Sequence, residues 1–297
     1  MKAQILRKAS IPEIESASGM EVIRGMIYIV ANNSTELICL DPYLNIKYRL
    51  ALTNETNLPE QPGNKLTAMC SFEINNFSHL LILPPGSISG ADKACLIKLP
   101  TPYNRRHLVR KRELEEFYNL LRINDSITST RELSIRCVTA GNDFIALFNP
   151  GQSHNSVMYF YKEEFIEFIQ GDTESVPFPL AMTFELPRQL SPSGISVFDD
   201  KLFWSAFHTR QHASFDQSCI GWKPLRSFER IRGMMSIPVE EESHLCQPED
   251  PETGPYMGHI SSICVTDQPE ANVYSALALG RHSSGKTELL LMDVYIY

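Results

Sequence analysis

Short apolar segments dominate this chain, and most of them are rich in Val, Ile, Tyr and Phe and bounded by Asn, Asp, Gly or Pro. Runs of this composition predict β-strands that are separated by turns. The runs fall into successive groups of four. The first group reads GMEVIR, MIYIVAN, ELICLD and IKYRLAL. The pattern therefore predicts an all-β protein built from a repeated four-stranded unit.

The last group of runs is one strand short. It reads HISSICVTD, NVYSALALG and ELLLMDVYIY, whereas a spare strand-like run, Ala3–Ala9, precedes the first group. An N-terminal strand that completes the last sheet closes the ring of a β-propeller and leaves only short sheet edges. We predict one propeller domain over residues 1–297, with five four-stranded blades. Six blades are the alternative if one unit is too degraded to recognise. A β-sandwich or two β-domains would explain neither the repeat nor the spare strand.

Two nearly identical phrases set the register of the repeat. SASGMEV (16–22) and SPSGISV (191–197) each precede a strongly apolar run. When the other units are aligned on them, the blades are predicted to start near residues 18, 67, 136, 193 and 261. Innermost strands converge on the axis of a propeller, and small residues allow their backbones to approach closely. We interpret the Ser-Gly pairs as packing devices rather than catalytic serines.

Three segments interrupt the predicted repeat. Residues 110–122 place Leu114, Phe117, Tyr118 and Leu121 at helical spacing, which predicts a helical insertion. A second short helix is predicted for KEEFIEFIQG in the third unit. The acidic, Pro-rich residues 238–255 are predicted to form an exposed loop.

Charge and cysteine content narrow the function classes. The net charge of −8 argues against a nucleic-acid-binding protein, because phosphate backbones favour a basic surface. No apolar run is long enough to cross a bilayer, and the first residues lack the apolar core of a signal peptide. The seven cysteines are scattered, with no C-x-x-C pair. These features favour a cytoplasmic protein with reduced, buried thiols.

Several phrases together resemble a known family. They include SASGMEV, GSISGADKACLIKL, ELEEFYNLLR followed by ELSIRCV, FIEFIQGD and SGISVFDDKLFWSAFHTR. The chain is similar over nearly its whole length to a family of uncharacterised bacterial β-propeller proteins, a domain of unknown function of the DUF6929 type. The resemblance implies the propeller fold but no activity.

The resemblance also implies a ring of carboxylates at one mouth of the central channel, because several unit starts in that family carry an acidic residue. This chain departs from that pattern. The matching positions are Thr67, Arg136, Ser193 and Ser261, and only Glu21 near the first unit start is acidic. A cation-binding function of such a ring is therefore doubtful here.

Glu21 and Arg136 are the candidate ligand-binding residues of the channel. Calcium binds about six to eight oxygen ligands, and Glu21 with neighbouring hydroxyls would be a sparse set. If Arg136 lies at the axis, it is expected to bind an anion or to pair with Glu21. The alternative is a solvated arginine at a strand start.

His208, Arg210 and His212 lie in AFHTRQHASFD, whose composition is typical of a loop between the second and third strands of a blade. The equivalent loops of other units, LPPGSISGAD and LFNPGQSHN, lack the G-K-[ST] of a phosphate-binding P-loop. All of them should gather at one face of the disc, which is the predicted binding surface.

Two functions remain open from the sequence. The first is a non-enzymatic scaffold that binds a protein or a small-molecule ligand, with no cofactor, metal, nucleic acid or membrane involved. The alternative is a hydrolase of the lactonase or phosphodiesterase kind with a degenerate channel site, for which calcium is the expected cofactor. A hydrolase predicts clustered carboxylates around the axis, whereas a scaffold predicts small residues or arginine there.

Overall fold

The chain forms a ring of five predominantly antiparallel sheets, as the predicted propeller requires. We describe it from a computed structural model. The described residues are 1–32, 34–52, 66–87, 93–101, 106–124, 127, 133–151, 155–186, 190–208, 218–225, 236–238, 245–281 and 286–297.

Each blade begins with its innermost strand and runs outward by hairpins. The strand that precedes blade 1 is β1 (Lys2–Glu15). Blade 1 consists of β2 (Ala17–Ile23), β3 (Met26–Ala31), β4 (Glu36–Leu40) and β5 (Ile46–Ala51). Blade 2 consists of β6 (Ala68–Ile74), β7 (Phe77–Leu83), β8 (Lys93–Lys98) and β9 (Leu108–Glu113).

Blades 3 and 4 are linked at the outer edge. Blade 3 consists of β10 (Cys137–Ala140), β11 (Phe144–Asn149), β12 (Asn155–Tyr161) and β13 (Leu180–Glu185). Blade 4 consists of β14 (Leu190–Phe198), β15 (Lys201–His208), β16 (Ser218–Pro224) and β18 (Leu245–Cys246). Between β16 and β18 the chain returns to blade 3, where β17 (Ser236–Pro238) adds a parallel fifth strand beside β13.

The N-terminal strand completes blade 5, which confirms the predicted closure. Blade 5 contains β21 (His259–Glu270), β22 (Val273–Arg281) and β23 (Lys286–Tyr295). β1 pairs antiparallel with β23, from Lys2 opposite Tyr295 to Glu15 opposite Lys286. Two short strands, β19 (Glu249–Asp250) and β20 (Gly254–Pro255), lie outside β1.

The five innermost strands surround a common axis. They contact one another in the order β2, β6, β10, β14 and β21, and β21 returns to β2. Each of the five apolar clusters lies between two neighbouring blades. The core is therefore a ring of interfaces, because every sheet buries both of its faces against other sheets.

Two helices enlarge the interface between blades 2 and 3. Helix α1 (Glu115–Arg122) buries Phe117, Tyr118 and Leu121, and α2 (Lys162–Gln170) buries Phe165 and Phe168. The ring of Phe117 packs 5.7 Å from Phe165 and 5.8 Å from Phe168, within the range for favourable aromatic pairs. In the described part of the chain, no helix is long and apolar enough to cross a membrane.

The predicted helical insertion at 110–122 was too long at its N-terminal end. Residues 110–113 belong to β9, in which Arg110 pairs with Leu96 and Glu113 with Lys93. The helical spacing begins only at Leu114, because the preceding residues satisfy their backbone groups in the sheet ladder.

The predicted exposed loop at 238–255 is partly β-structure. Its Leu245–Cys246 is β18, and Cys246 pairs with Ile220 of β16. The strand-like run FERIRGMM (228–235), which precedes this segment in the sequence, lies outside the described residues. The outer edge of β16 has backbone groups that need hydrogen-bond partners. Leu245 and Cys246 provide them, although the residues around this pair are acidic.

Candidate functional site

The aligned serines occupy a special position in the innermost strands. Ser18, Ser193 and Ser261 are the extra residues of three β-bulges, where the ladder to the second strand skips one residue. In the second unit the backbone N–H of Thr67 donates to Leu83, which also pairs with Ala68. A bulged residue is turned out of the regular ladder, so its side chain can reach beyond its own sheet.

In four of the five units, the hydroxyl group at the aligned position forms a hydrogen bond to the next blade. Each one donates to the carbonyl oxygen of the residue just before the equivalent position in the following unit. The bonds join Ser18 to Leu66 (2.8 Å), Thr67 to Ile135 (2.9 Å), Ser193 to Ile260 (2.6 Å) and Ser261 to Ala17 (2.9 Å). We call these four bonds the hydroxyl clasp. The repeated sequence phrase therefore corresponds to a hydrogen bond that recurs between neighbouring blades.

The glycine that follows the clasp residue Ser193 lies where two inner strands approach closely. A Cβ on Gly194 would lie 2.6 Å from the Cα of Ser262 and 2.7 Å from the backbone nitrogen of Ile263. Side chains do not tolerate such distances to backbone, so only glycine fits here. This contact gives the Ser-Gly pair the packing role predicted for it.

Arg136 replaces the hydroxyl in the third unit. Its side chain is exposed, and its guanidinium lies 5.9 Å from the ring of Phe207 in blade 4. The same ring packs nearly perpendicular to the imidazole of His259 in blade 5, with 4.3 Å between ring centroids. One junction of the ring therefore has a cation over an aromatic face where the other four have a clasp.

The clasp positions and Arg136 open into one cavity of about 320 Å³ at the mouth of the channel. It is lined by Ser16, Ala17, Ser18, Asn32, Thr67, Pro85, Ser87, Ser134, Arg136, Ser193, His259, Ser261 and Arg281. We call it the mouth cavity. Among these lining residues there are two arginines and one histidine but no carboxylate. Neither Arg136 nor Arg281 forms an ion pair with another described residue.

The uncharged polar side chains of the mouth cavity include two chemical groups. The protons of Ser18, Thr67 and Ser261 are already donated to carbonyls, so those oxygens can only accept further hydrogen bonds. In contrast, the side chains of Asn32 and Ser134 make no donor bond to another described residue. An anion at the mouth would therefore be held by the arginines and by these free donors.

Glu21 lies deeper in the channel than predicted. It follows Ser18 by three residues, about 10 Å along an extended strand, and does not line the mouth cavity. Its Oε2 accepts a hydrogen bond from Ser71 at 2.8 Å, so the predicted pairing with Arg136 is wrong. Burial raises the pKa of Glu21 from 4.5 to about 7, and the Ser71 bond offsets only part of that effect.

The positions level with Glu21 in the other units carry no second carboxylate. They are Cys70, Thr139, Ser196 and Cys264, all of which are buried. Burial, and then the nearby Glu21 charge, raises the pKa of both Cys70 and Cys264, so neither thiol is poised to ionise. Within the described ranges, no group of three or more His, Cys, Asp or Glu side chains is arranged to hold a metal ion.

The predicted loop site can be located only in part. His208 is the last residue of β15, and its backbone pairs with Leu190. Arg210 and His212 lie outside the described residues, as do parts of the equivalent loops. The ends of such loops do reach the predicted face: Asn32, Pro85 and Ser87 follow second strands, Arg281 is the last residue of one, and all four line the mouth cavity.

His259 and Arg281 were not identified from the sequence. His259 stands two residues before Ser261, just as Ser16 and Ser134 stand before Ser18 and Arg136. If the alignment of the units had been extended two residues upstream of the clasp residues, it would have revealed His259. Arg281 is different, because it is the last residue of a second strand, β22, and reaches the cavity through its pairing opposite His259.

The comparison with known sequences identifies the family. Residues 13–281 match the profile of a family of unknown function, DUF6929. The chain belongs to this family. No functionally curated protein shows significant sequence similarity to it. As a DUF6929 member the chain has a β-propeller fold but no established activity.

Several solved structures resemble this DUF6929 chain in fold. Glutaminyl cyclase of Myxococcus xanthus matches with a TM-score of 0.50 and 8% identity, over 99% of this chain and 97% of its own. The tail fibre of Staphylococcus aureus phage P68 matches with a TM-score of 0.54 and 13% identity, over 99% of this chain and 53% of its own. A mutant α-L-arabinanase of Cellvibrio cellulosa matches with a TM-score of 0.50 and 9% identity, over 95% of this chain and 91% of its own. At these identities the similarity shows the fold alone.

Proposed function

We propose that this DUF6929 protein is a non-enzymatic scaffold that binds an anionic group at the mouth cavity. The observation that carries the proposal is the lining, in which Arg136, Arg281 and His259 meet without any lining carboxylate. This local charge contrasts with the net charge of −8 of the whole chain. Guanidinium groups bind carboxylates and phosphates through paired hydrogen bonds, which makes these the favoured ligand groups.

The cavity also limits the size of the ligand. About 320 Å³ is at the lower end of the range for small-molecule sites, roughly 300–1,000 Å³. The site therefore suits a small anionic metabolite or the charged end of a larger partner. Lining residues come from several blades that the hydroxyl clasp holds together, so the site needs little rearrangement on binding.

Calorimetric titration tests this proposal. The ligands are inorganic phosphate and citrate as anions and glucose as a neutral control. We expect saturable binding of at least one anion, weakened by added salt and reduced at least tenfold in Arg136→Gln. Arg110→Gln is the matched control, because Arg110 is an exposed arginine on β9 that does not line the mouth cavity. Absence of saturable anion binding, or equal effects of the two variants, would show the proposal to be wrong.

One observation favours the alternative, a hydrolase that uses the channel. The pKa of Glu21, raised to about 7 by burial, matches what a general base needs near neutral pH. The test is hydrolysis of a simple lactone and of bis(p-nitrophenyl) phosphate, with and without calcium. Turnover that disappears in folded Glu21→Gln would support the hydrolase and contradict the scaffold.

We also propose that the protein works in the reducing cytoplasm. None of its seven cysteines, all of which lie among the described residues, is part of a disulfide, and five of them are buried. Cell fractionation with thiol labelling of the denatured protein would test this, since an oxidised population would contradict it.

A further inference from the structure

A second and larger cavity, of about 810 Å³, lies on the opposite face of the disc. We call it the apolar cavity. It is lined by Arg7, Ala9, Val22, Arg24, Gly25, Ile27, Pro42, Tyr43, Leu44, Phe198, Val265, Thr266, Leu277, Leu289 and Leu291. Val22 and Val265 follow the clasp residues Ser18 and Ser261 by four positions, about 13 Å along the strands. The two cavities share no lining residue.

The floor of the apolar cavity is made by the first and last blades. Ile27, Val265 and Leu289 are buried beneath it, whereas Val22 and Leu277 are half-buried and face the opening. Leu291 remains 36% exposed at its edge. Such a continuous aliphatic surface gains free energy when an apolar ligand covers it, roughly 25 cal/mol for each Å² removed from water.

The rim on the blade 1 side is held in an uncommon backbone conformation. Leu44 has φ +68, in a region that bulky side chains seldom adopt. The carboxylate of Asp41 holds this turn by accepting hydrogen bonds from the backbone N–H groups of Tyr43 and Asn45, both at 2.9 Å. Tyr43 is 86% exposed as a result. The turn thus presents apolar side chains at the rim, and backbone strain of this kind is concentrated at ligand sites.

Two cations complete the lining. Arg7 of β1 and Arg24 of the β2–β3 turn are both exposed, and neither forms an ion pair with another described residue. No Asp or Glu is among the lining residues. An aliphatic floor with arginines at its edge complements a ligand that has an apolar body and an anionic head.

We propose that the apolar cavity binds a small amphipathic anion, namely an aliphatic carboxylate of medium chain length. The aliphatic chain lies over Leu277, Leu289 and Val265, and the carboxylate is held by Arg7 and Arg24. This site is separate from the mouth cavity, so the inference does not depend on the function proposed above.

The experiment is calorimetric titration of the full chain with decanoate, kept below its micelle concentration, with decanol and acetate as comparisons. We expect saturable binding of decanoate and at least tenfold weaker binding of the other two. Arg24→Gln and Arg7→Gln should each weaken decanoate binding several-fold, and the double variant more than tenfold. Leu291→Ser tests the apolar contact at an exposed position that should not affect folding.

Arg136→Gln, in the mouth cavity, should leave decanoate binding unchanged, which separates this proposal from the previous one. Equal affinities for decanol and decanoate, or unchanged affinity in the double arginine variant, would overturn the proposal. So would binding of an acidic, leucine-rich peptide by a protein that does not bind decanoate, because the cavity would then be a protein-docking groove.

Discussion

The hydroxyl of Ser261 in the last blade donates a hydrogen bond to the carbonyl oxygen of Ala17 in the first, at 2.9 Å. Together with the pairing of β1 and β23, this bond joins the two ends of the ring. Ser261→Ala should lower the free energy of unfolding by about 1 kcal/mol, since the bond is lost and its acceptor belongs to the buried residue Ala17. Urea denaturation measures the change, with Ser10→Ala on the exposed face of β1 as the control. Equal stabilities of the two variants would contradict a role for the clasp.

Arg136 occupies the position where the other units have a clasp hydroxyl. Arg136→Ser should therefore add a fifth clasp bond and raise the free energy of unfolding by about 1 kcal/mol. The same variant should lose anion binding at the mouth cavity. Arg136→Gln is the matched control, because it also loses the charge but carries no short hydroxyl. A serine variant less stable than the glutamine variant would show that the third junction differs in geometry.

Glu21 makes stability depend on pH. The pKa of its carboxyl is 4.5 when unfolded and about 7 when folded, so the unfolded chain releases its proton first as the pH rises. Stability should fall between pH 4.5 and 7 and stay lower above pH 7, by on the order of 3 kcal/mol at most. Glu21→Gln removes this loss.

Melting temperatures at pH 5 and pH 8 measure the effect. The advantage of Glu21→Gln over the unmodified protein should be larger at pH 8. The exposed Glu13→Gln on β1 is the control and should show no such trend. An advantage that is equal at both pH values would mean that the carboxyl is already ionised at pH 5.

Gly194 and Gly19 are equivalent but not equally crowded. A Cβ on Gly194 meets backbone atoms at 2.6 and 2.7 Å, whereas on Gly19 its nearest neighbour is the Cγ2 of Val30 at 3.0 Å. Gly194→Ala should cost about 3 kcal/mol of stability and Gly19→Ala about 1 kcal/mol, because a side chain yields more easily than backbone. Chemical denaturation of the two variants side by side checks this order, and the reverse order would contradict it.

The sequence predicted the fold through its repeat. Four-stranded units, a spare N-terminal strand and the aligned positions of Ser18, Thr67, Arg136, Ser193 and Ser261 were enough to place the ring and to bring those residues to one mouth. Strand composition and small residues at the axis depend only on short stretches of sequence, and similar stretches recur from blade to blade. A single sequence therefore contains enough information to predict the propeller.

The errors have a common physical origin in contacts between distant segments. Glu21 bonds to Ser71 of the next blade, a contact across 50 residues that the residue types along one strand do not express. Arg281 reaches the mouth through its pairing with a strand some twenty residues away. β18 lies in an acidic stretch whose composition indicates a loop, and its pairing depends on the free edge of β16.

The closing strand also has a consequence for biosynthesis. Lys2 pairs with Tyr295, so β1 emerges from the ribosome long before its partner exists. Until then its backbone groups and the apolar side chains of Ala3 and Ile5 must remain in solution or bind a chaperone. Ring closure is therefore expected to be the last and slowest folding step, because it joins the most distant residues of the propeller. A truncated translation product that lacks β23 would carry an unpaired strand, and we expect it to be prone to aggregation.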